Sequence, residues 1–167
     1  MEPTQPIQWK QYTIRQATPD DLDTIMSHRR SMVLDMGRKD DADLAESMRT
    51  SRDFFSARLA NGAYRAWLVE SEPGHVVAGA GVIIFEYHSS PLDPTPRRPM
   101  VVNVFTERRH RRRGIARKLM ELIIGWCRAE GFGSMLLHAS DEGRALYDSL
   151  GFKPTNEMRL MLRQQAR

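Results

Sequence analysis

The stretch from Val101 to Lys118, VVNVFTERRHRRRGIARK, gathers residue types suited to holding an anion. An apolar run ends at Thr106, five arginines and a histidine follow, and Gly114-Ile115-Ala116 opens an amphipathic segment. Before the break, β-branched and aromatic residues are interrupted only by Asn103, which predicts a buried strand. After it, Ile115, Leu119, Leu122, Ile123 and Trp126 recur at helical spacing. A strand, a basic loop and a helix N-terminus in that order make a phosphate-holding device. The first turn of a helix has amides without intrahelical partners, and the aligned peptide dipoles favour negative charge there. Gly114 removes a Cβ that would keep a ligand's oxygens off the backbone, and Ala116 is nearly as small. The expected grip is the amides of Arg112, Arg113, Gly114, Ile115, Ala116 and Arg117, with the side chains of Arg111 and Arg117 contributing.

Other phosphate and metal chemistries are absent from the sequence. No glycine precedes Lys-Ser or Lys-Thr, and no G-x-G-x-x-G opens a helix. There is no H-E-x-x-H or C-x-x-C, and the five histidines are scattered, so no protein-bound metal is expected. The net charge of +4 is uneven: nine Lys or Arg between positions 97 and 118 face one acid, Glu107. The rest holds 16 basic and 20 acidic residues, a net of −4. The chain is thus an acidic body with one basic patch on the proposed loop.

These residues need elements to position them. Met1–Gln11 is polar, with Pro3 and Pro6, and reads as a flexible arm ahead of one domain over residues 12–167. Tyr12–Ala17 alternates as a strand, and Thr18-Pro19-Asp20-Asp21 reads as a helix start. Leu22, Ile25, Met26, Arg29, Val33 and Met36 give a helical stripe ended by Gly37. A second helix follows from about Asp41 to Asn61-Gly62. Tyr64–Glu70 and Val76–Glu86 read as a hairpin, and the four prolines between His88 and Pro99 mark a long connection. After the phosphate-site helix come a strand over Ser134–Ala139, a helix over Gly143–Leu150, and a last strand alternating through Met158, Leu160 and Leu162. The lone Cys127 reads as a small core residue. One cysteine and no secretory signal lead to an expectation of a reducing, cytoplasmic setting. The longest apolar stretch, Val76–Phe85, is short of the ~20 residues needed to cross a bilayer, so no membrane association is expected.

Arg111-x-x-Gly114-x-Ala116 after a strand resembles the acyl-CoA motif of the GNAT superfamily of N-acetyltransferases. The resemblance continues in Leu137-His138-Ala139-Ser140. It extends to Ala145-Leu146-Tyr147-Asp148-Ser149-Leu150-Gly151-Phe152, where the family has a helix carrying a tyrosine followed by Gly-Phe. It implies an α/β (α+β) fold with the order β-α-α-β-β-β-α-β-α-β. The mixed central sheet is then flanked by helices and splayed between its fourth and fifth strands, where the pantetheine arm of acetyl-CoA enters. By position, Val104, Phe105 and Thr106 offer backbone groups to the pantetheine and the acetyl carbonyl, with the Val104 N–H as oxyanion donor. Thr106 stands where family members often carry proline.

The implied activity is transfer of an acetyl group from acetyl-CoA to a primary amine of a small molecule or peptide, by direct attack in a ternary complex. Tyr147 is the expected general acid, because a phenol with pKa near 10 stays protonated at neutral pH. Ser140 reads first as a helix cap and also as a cofactor contact. For the base, Glu86, His88, His138 and water all remain open. Asp35, Asp40, Asp41, Asp43 and Glu46 either attract a cationic amine or form a solvated helix face and cap. Two other readings stand beside this one: an acyl-CoA-binding domain without turnover, and a nucleic-acid module using the arginine run. The run lacks interleaved aromatics and a recognition motif, so no nucleic acid is expected as a partner. Homodimer formation is left open.

Overall fold

The computed structural model describes residues 5–89, 91 and 93–162. Strand β1 (Ile7–Trp9) turns through Lys10 and Gln11 into β2 (Tyr12–Gln16). A short 3-10 turn over Pro19–Asp21 leads into α1 (Leu22–Asp35), and α2 (Ala42–Asn61) follows, capped by the Asp41 side chain on the Leu44 amide. Strands β3 (Tyr64–Glu72), β4 (His75–Glu86) and β5 (Arg97–Thr106) run consecutively. Helix α3 (Ile115–Ala129), the two-residue strand β6 (Leu136–Leu137) and α4 (Asp141–Ser149) complete the order. The six strands lie in sequence order in one mixed sheet, antiparallel except for the parallel pair β5–β6.

The period-2 alternation of β3 divides the core. Tyr64, Ala66 and Leu68 face α1 and α2, where Ile25, Met26 and Phe55 close a cluster. Trp67 and Val69 face the other side, with Tyr12, Ile14, Val77, Val82 and the α3 stripe Ile115, Leu119, Met120, Ile123 and Cys127. Each fully buried aliphatic side chain there contributes about 1.5–3 kcal/mol. Cys127 is a core residue as expected, and burial pushes its thiol up to about 11, so it is inert.

The splay has a direct cause in register. Met100 pairs with Leu136 and Val101 with Leu137, and the β5–β6 ladder ends there. Beyond it, residues 102–106 keep β4 on one side and have no described strand on the other. The connection before β5 is anchored rather than loose. Buried Asp93 accepts from Thr95 and Ser134, and the nearly enclosed Arg98 guanidinium lies 3.2 Å from its carboxylate.

Three expectations about elements need correction. Residues 7–9, expected within a flexible arm, pair with β2 in the register Ile7↔Ile14, Gln8↔Thr13 and Trp9↔Tyr12. Trp9 and Tyr12 stack with ring centroids 6.1 Å apart, a contact that a reading of the arm as polar overlooks. The strand expected over Ser134–Ala139 shortens to two residues, because Ser140 already caps α4. The strand expected through Met158, Leu160 and Leu162 does not form, and those side chains are 94%, 81% and 87% exposed. Alternation supplies a strand's pattern but not its neighbour.

Candidate functional site

The centre of the site is an irregularity in β5. Gly79 pairs with Phe105 and Gly81 with Val102, so Ala80 alone stands opposite both Asn103 and Val104. One extra residue on one strand is a β-bulge, which bends the strand and re-aims its backbone. Asn103 adopts φ +56°, a left-handed conformation that asparagine tolerates better than most residues. Its side chain locks the bulge from both ends. Oδ1 accepts from Arg29 Nη1 at 2.8 Å, and Nδ2 donates to the Tyr64 hydroxyl at 3.2 Å. Tyr64 is enclosed, and burial pushes its phenol up to about 12. Gly81 makes room for it, because a Cβ there would lie 2.2 Å from the Tyr64 hydroxyl oxygen. The bulge sits on the stretch of β5 that β6 leaves open, and Val104 is therefore at the mouth of the splay.

The basic loop lies just beyond the end of β5. Arg112 and Gly114 both have positive φ, +61° and +87°, and together they curl the chain ahead of α3. Successive amides curled in this way form a concave nest for an anion. Among the described residues, the amides from Arg112 to Arg117 donate to no other group. Gly114 is thus required by its backbone conformation as well as by close approach, and the Trp9 ring forms a wall beside it.

Most of the loop's side chains tie it to neighbouring elements. Arg111 donates through Nε to the Thr106 carbonyl at 2.9 Å and pairs with Asp35. It therefore straps the loop to β5 and α1 rather than reaching outward. Arg108 also pairs with Asp35 at 2.7 Å, and these two guanidinium groups hold the Asp35 carboxyl below its usual range. Arg117 donates to Ser149 Oγ at 2.7 Å and links α3 to α4. On the hairpin side, Lys10 donates to the Arg113 carbonyl, and the Tyr12 hydroxyl lies 3.0 Å from His110 Nδ1. Arg113 Nη1 donates to that Tyr12 hydroxyl at 3.4 Å, and both Arg112 and Arg113 remain exposed.

On the α3 side, Val104 and Tyr147 border the same apolar cluster, together with Leu137, Leu150 and Phe152. The half-buried Tyr147 ring meets Phe152 edge to face at 5.9 Å, and burial raises its phenol pKa. Its hydroxyl has no hydrogen-bond partner among the described residues. Ser140 Oγ accepts from the Gly143 amide at 3.2 Å, the capping role read from sequence. Phe105 packs against the buried His28 ring at 4.8 Å. Burial holds His28 below its ordinary pKa, against the opposing pull of Glu107.

The candidate bases separate by position. Glu86 faces Arg97 at the opposite end of β5, ~20 Å from Val104 at ~3.3 Å per residue, and His88 lies beyond it. Neither is brought to the bulge. His138 follows β6 directly, on the splay side, 3.6 Å from Glu157.

Across the sheet, α1 and α2 with β4 and β5 enclose a groove of about 560 Å³. Phe54, Phe55, Ile83 and Val102 line it, with Arg29 beside the bulge and Asp43 and Glu46 further along α2. The acidic cluster, read from sequence as either an amine attractor or a solvated helix face and cap, is mostly engaged. Asp35 holds the loop, Asp40 pairs with Arg30, Asp41 caps α2, and Glu46 pairs with Arg49.

A model of the acetyltransferase (GNAT) family matches residues 30–152. The chain belongs to the GNAT family. Among its relatives is human N-acetyltransferase 8, 32% identical over 96 residues, which cover 54% of this chain and 39% of the human protein. The match thus spans about two fifths of that relative's length. The crystal structure of a GCN5-related N-acetyltransferase from Ralstonia eutropha JMP134 aligns with TM-score 0.85 at 32% identity, over 90% of this chain and 98% of that one. A predicted acetyltransferase with acetyl-CoA from Clostridium acetobutylicum aligns with TM-score 0.81 at 24% identity, over 90% and 95% of the two chains. This GNAT domain has the mixed, splayed sheet that the motifs imply. Among the described residues no helix is long and apolar enough to cross a membrane.

Sequence reading missed the residues that set the bulge. Asn103 was visible as the only polar residue in an apolar run, and Arg29 as the only charge in an apolar helical stripe. Tyr64 and Gly81 gave no such signal, because their partners are 17 or more residues away in the chain.

Proposed function

We propose that this protein is an N-acetyltransferase that uses acetyl-CoA to acetylate a primary amine by direct attack in a ternary complex. The observation that carries this reading is the row of unpartnered amides from Arg112 to Arg117, curled by two left-handed residues beside the open edge of β5. Six amides without acceptors at a helix start suit a pyrophosphate, and the exposed Arg112 and Arg113 add positive charge beside them. Bound acetyl-CoA supplies an acetyl thioester, whose carbonyl carbon takes the amine's lone pair to form C–N as the C–S bond breaks. The Val104 N–H, re-aimed by the bulge, donates to the carbonyl oxygen as it gains charge. The Tyr147 hydroxyl, protonated because burial raises its pKa, gives its proton to the departing sulfur. The acceptor ammonium loses one proton before attack, to water or His138, and the second, released as the amide forms, returns through water to the Tyr147 phenolate.

A thermal-shift titration tests this reading. Acetyl-CoA at 100 times its Kd adds about 2.7 kcal/mol of apparent stability to the parent protein. Gly114→Glu places a carboxylate among the amides and abolishes that increment, whatever its own effect on Tm. An equal increment in the variant, or none in the parent, refutes the assignment.

A further inference from the structure

We propose that Arg29 is the anchor of the acceptor groove and that the acceptor is an α-amino acid with an apolar side chain, held by its carboxylate. This rests on the acetyltransferase reading above and assigns the substrate class of that site. Arg29 stands in the apolar stripe of α1, half-buried, where a guanidinium is costly unless compensated. Its two hydrogen bonds go to neutral groups, Ser51 Oγ from Nε at 3.2 Å and Asn103 Oδ1 from Nη1 at 2.8 Å. Nη2 donates to none of the described residues, and no carboxylate among them lies within ion-pair distance. Phe55 lies under the guanidinium carbon at 5.5 Å. Three other sheltered arginines are paired with carboxylates, whereas the half-buried Arg58 and Arg65 lie over Phe54 and Trp126. Arg15 pairs with Asp21 and Glu70, Arg98 with Asp93, and Arg111 with Asp35. Unlike Arg15, Arg98 and Arg111, Arg29 has no counterion among the described residues, and it lines the groove.

The missing charge has a definite shape. A guanidinium fork with free N–H groups matches the two oxygens of a carboxylate side by side. A phosphate dianion fits less well, because Arg29 is the groove's only cation and Asp43 and Glu46 line the same space. Asp43 and Glu46 lie eight and five residues before Ser51 on α2, about 12 and 7.5 Å away at 1.5 Å per residue. The positive end of the groove is therefore the end at the bulge. Arg29 holds the side chain of Asn103, the neighbour of Val104, so a carboxylate on Arg29 brings an amine on the adjacent carbon close to the Val104 amide. Phe54, Phe55, Ile83 and Val102 then supply apolar surface for the side chain.

The test follows thiol release from acetyl-CoA with three acceptors: phenylalanine, phenylalaninamide and glucosamine 6-phosphate. Phenylalanine is expected to be the best substrate. Arg29→Gln should lower turnover of both amines, because it releases one end of the bulge, but it should also lower the phenylalanine-to-phenylalaninamide ratio of kcat/KM about 10- to 100-fold, mainly through KM for phenylalanine. Arg29→Lys, which keeps the charge but loses the fork, should lower the acid-to-amide ratio by less. It also serves if the Gln variant does not fold. Preference for the amide or the sugar phosphate, an equal loss on both amines, or no turnover of phenylalanine overturns the proposal. If the acetyl-CoA thermal shift persists while phenylalanine is not turned over, only the acceptor assignment fails. Loss of the shift in the parent protein removes the underlying reading instead.

Discussion

Asn103→Ala should destabilise the protein by about 3–5 kcal/mol and slow turnover in whatever fraction remains folded. Three contributions set that figure. Alanine at φ +56° costs about 1 kcal/mol more than asparagine, whose short polar side chain tolerates the left-handed region. The enclosed Tyr64 hydroxyl loses its donor, at roughly 1–2 kcal/mol. Arg29 loses its shorter bond, a charge-assisted one, at about 1–2 kcal/mol. Against a typical total of about 5–15 kcal/mol, such a loss is plain in urea unfolding. Asn103→Gly separates the parts, since glycine relieves the conformational cost but restores neither hydrogen bond, and it should recover about 1 kcal/mol. In the folded variants kcat should fall by about 10²- to 10³-fold, the usual cost of losing one aligned oxyanion donor. Acetyl-CoA affinity should stay within a few-fold, because the phosphate loop is untouched. A loss below 1 kcal/mol, or identical alanine and glycine variants, refutes the claim that Asn103 locks the bulge.

Two further outcomes follow from the same structure. Tyr147→Phe should lower kcat by about 10²-fold or more, with cofactor affinity within twofold by calorimetry; equal rates for variant and parent remove Tyr147 from the proton transfer. His28 is held below its ordinary pKa by burial, so the unfolded chain binds a proton that the folded protein refuses. That stability is fully present above about pH 7 and is lost as pH falls below ~6.5, at up to ~1.4 kcal/mol per pH unit. His28→Gln should flatten the slope between pH 7 and 5.5, and unchanged slopes in urea unfolding contradict the assignment.

The parts legible in sequence were those with local causes. The loop and α3 announce themselves through Gly114 and the stripe from Ile115 to Cys127, because a helix start and an amphipathic face are encoded within a few residues. Ser140 as a cap and the β3–β4 hairpin are local in the same sense. What depended on distant partners was not legible. The bulge exists through Gly81, Tyr64, Asn103 and Arg29, which come from β4, β3, β5 and α1. The pairing of Ile7–Trp9 required a neighbour that a short polar-looking segment does not advertise. Met158, Leu160 and Leu162 err in the opposite direction, since their alternation is real and no described strand receives them.

The most direct test of the account is a crystal structure of the protein with coenzyme A. The pyrophosphate should lie on the amides from Arg112 to Arg117, with the thiol end reaching the Val104 amide through the gap between β5 and β6. A nucleotide bound on another face, with those amides facing only solvent, would contradict the account.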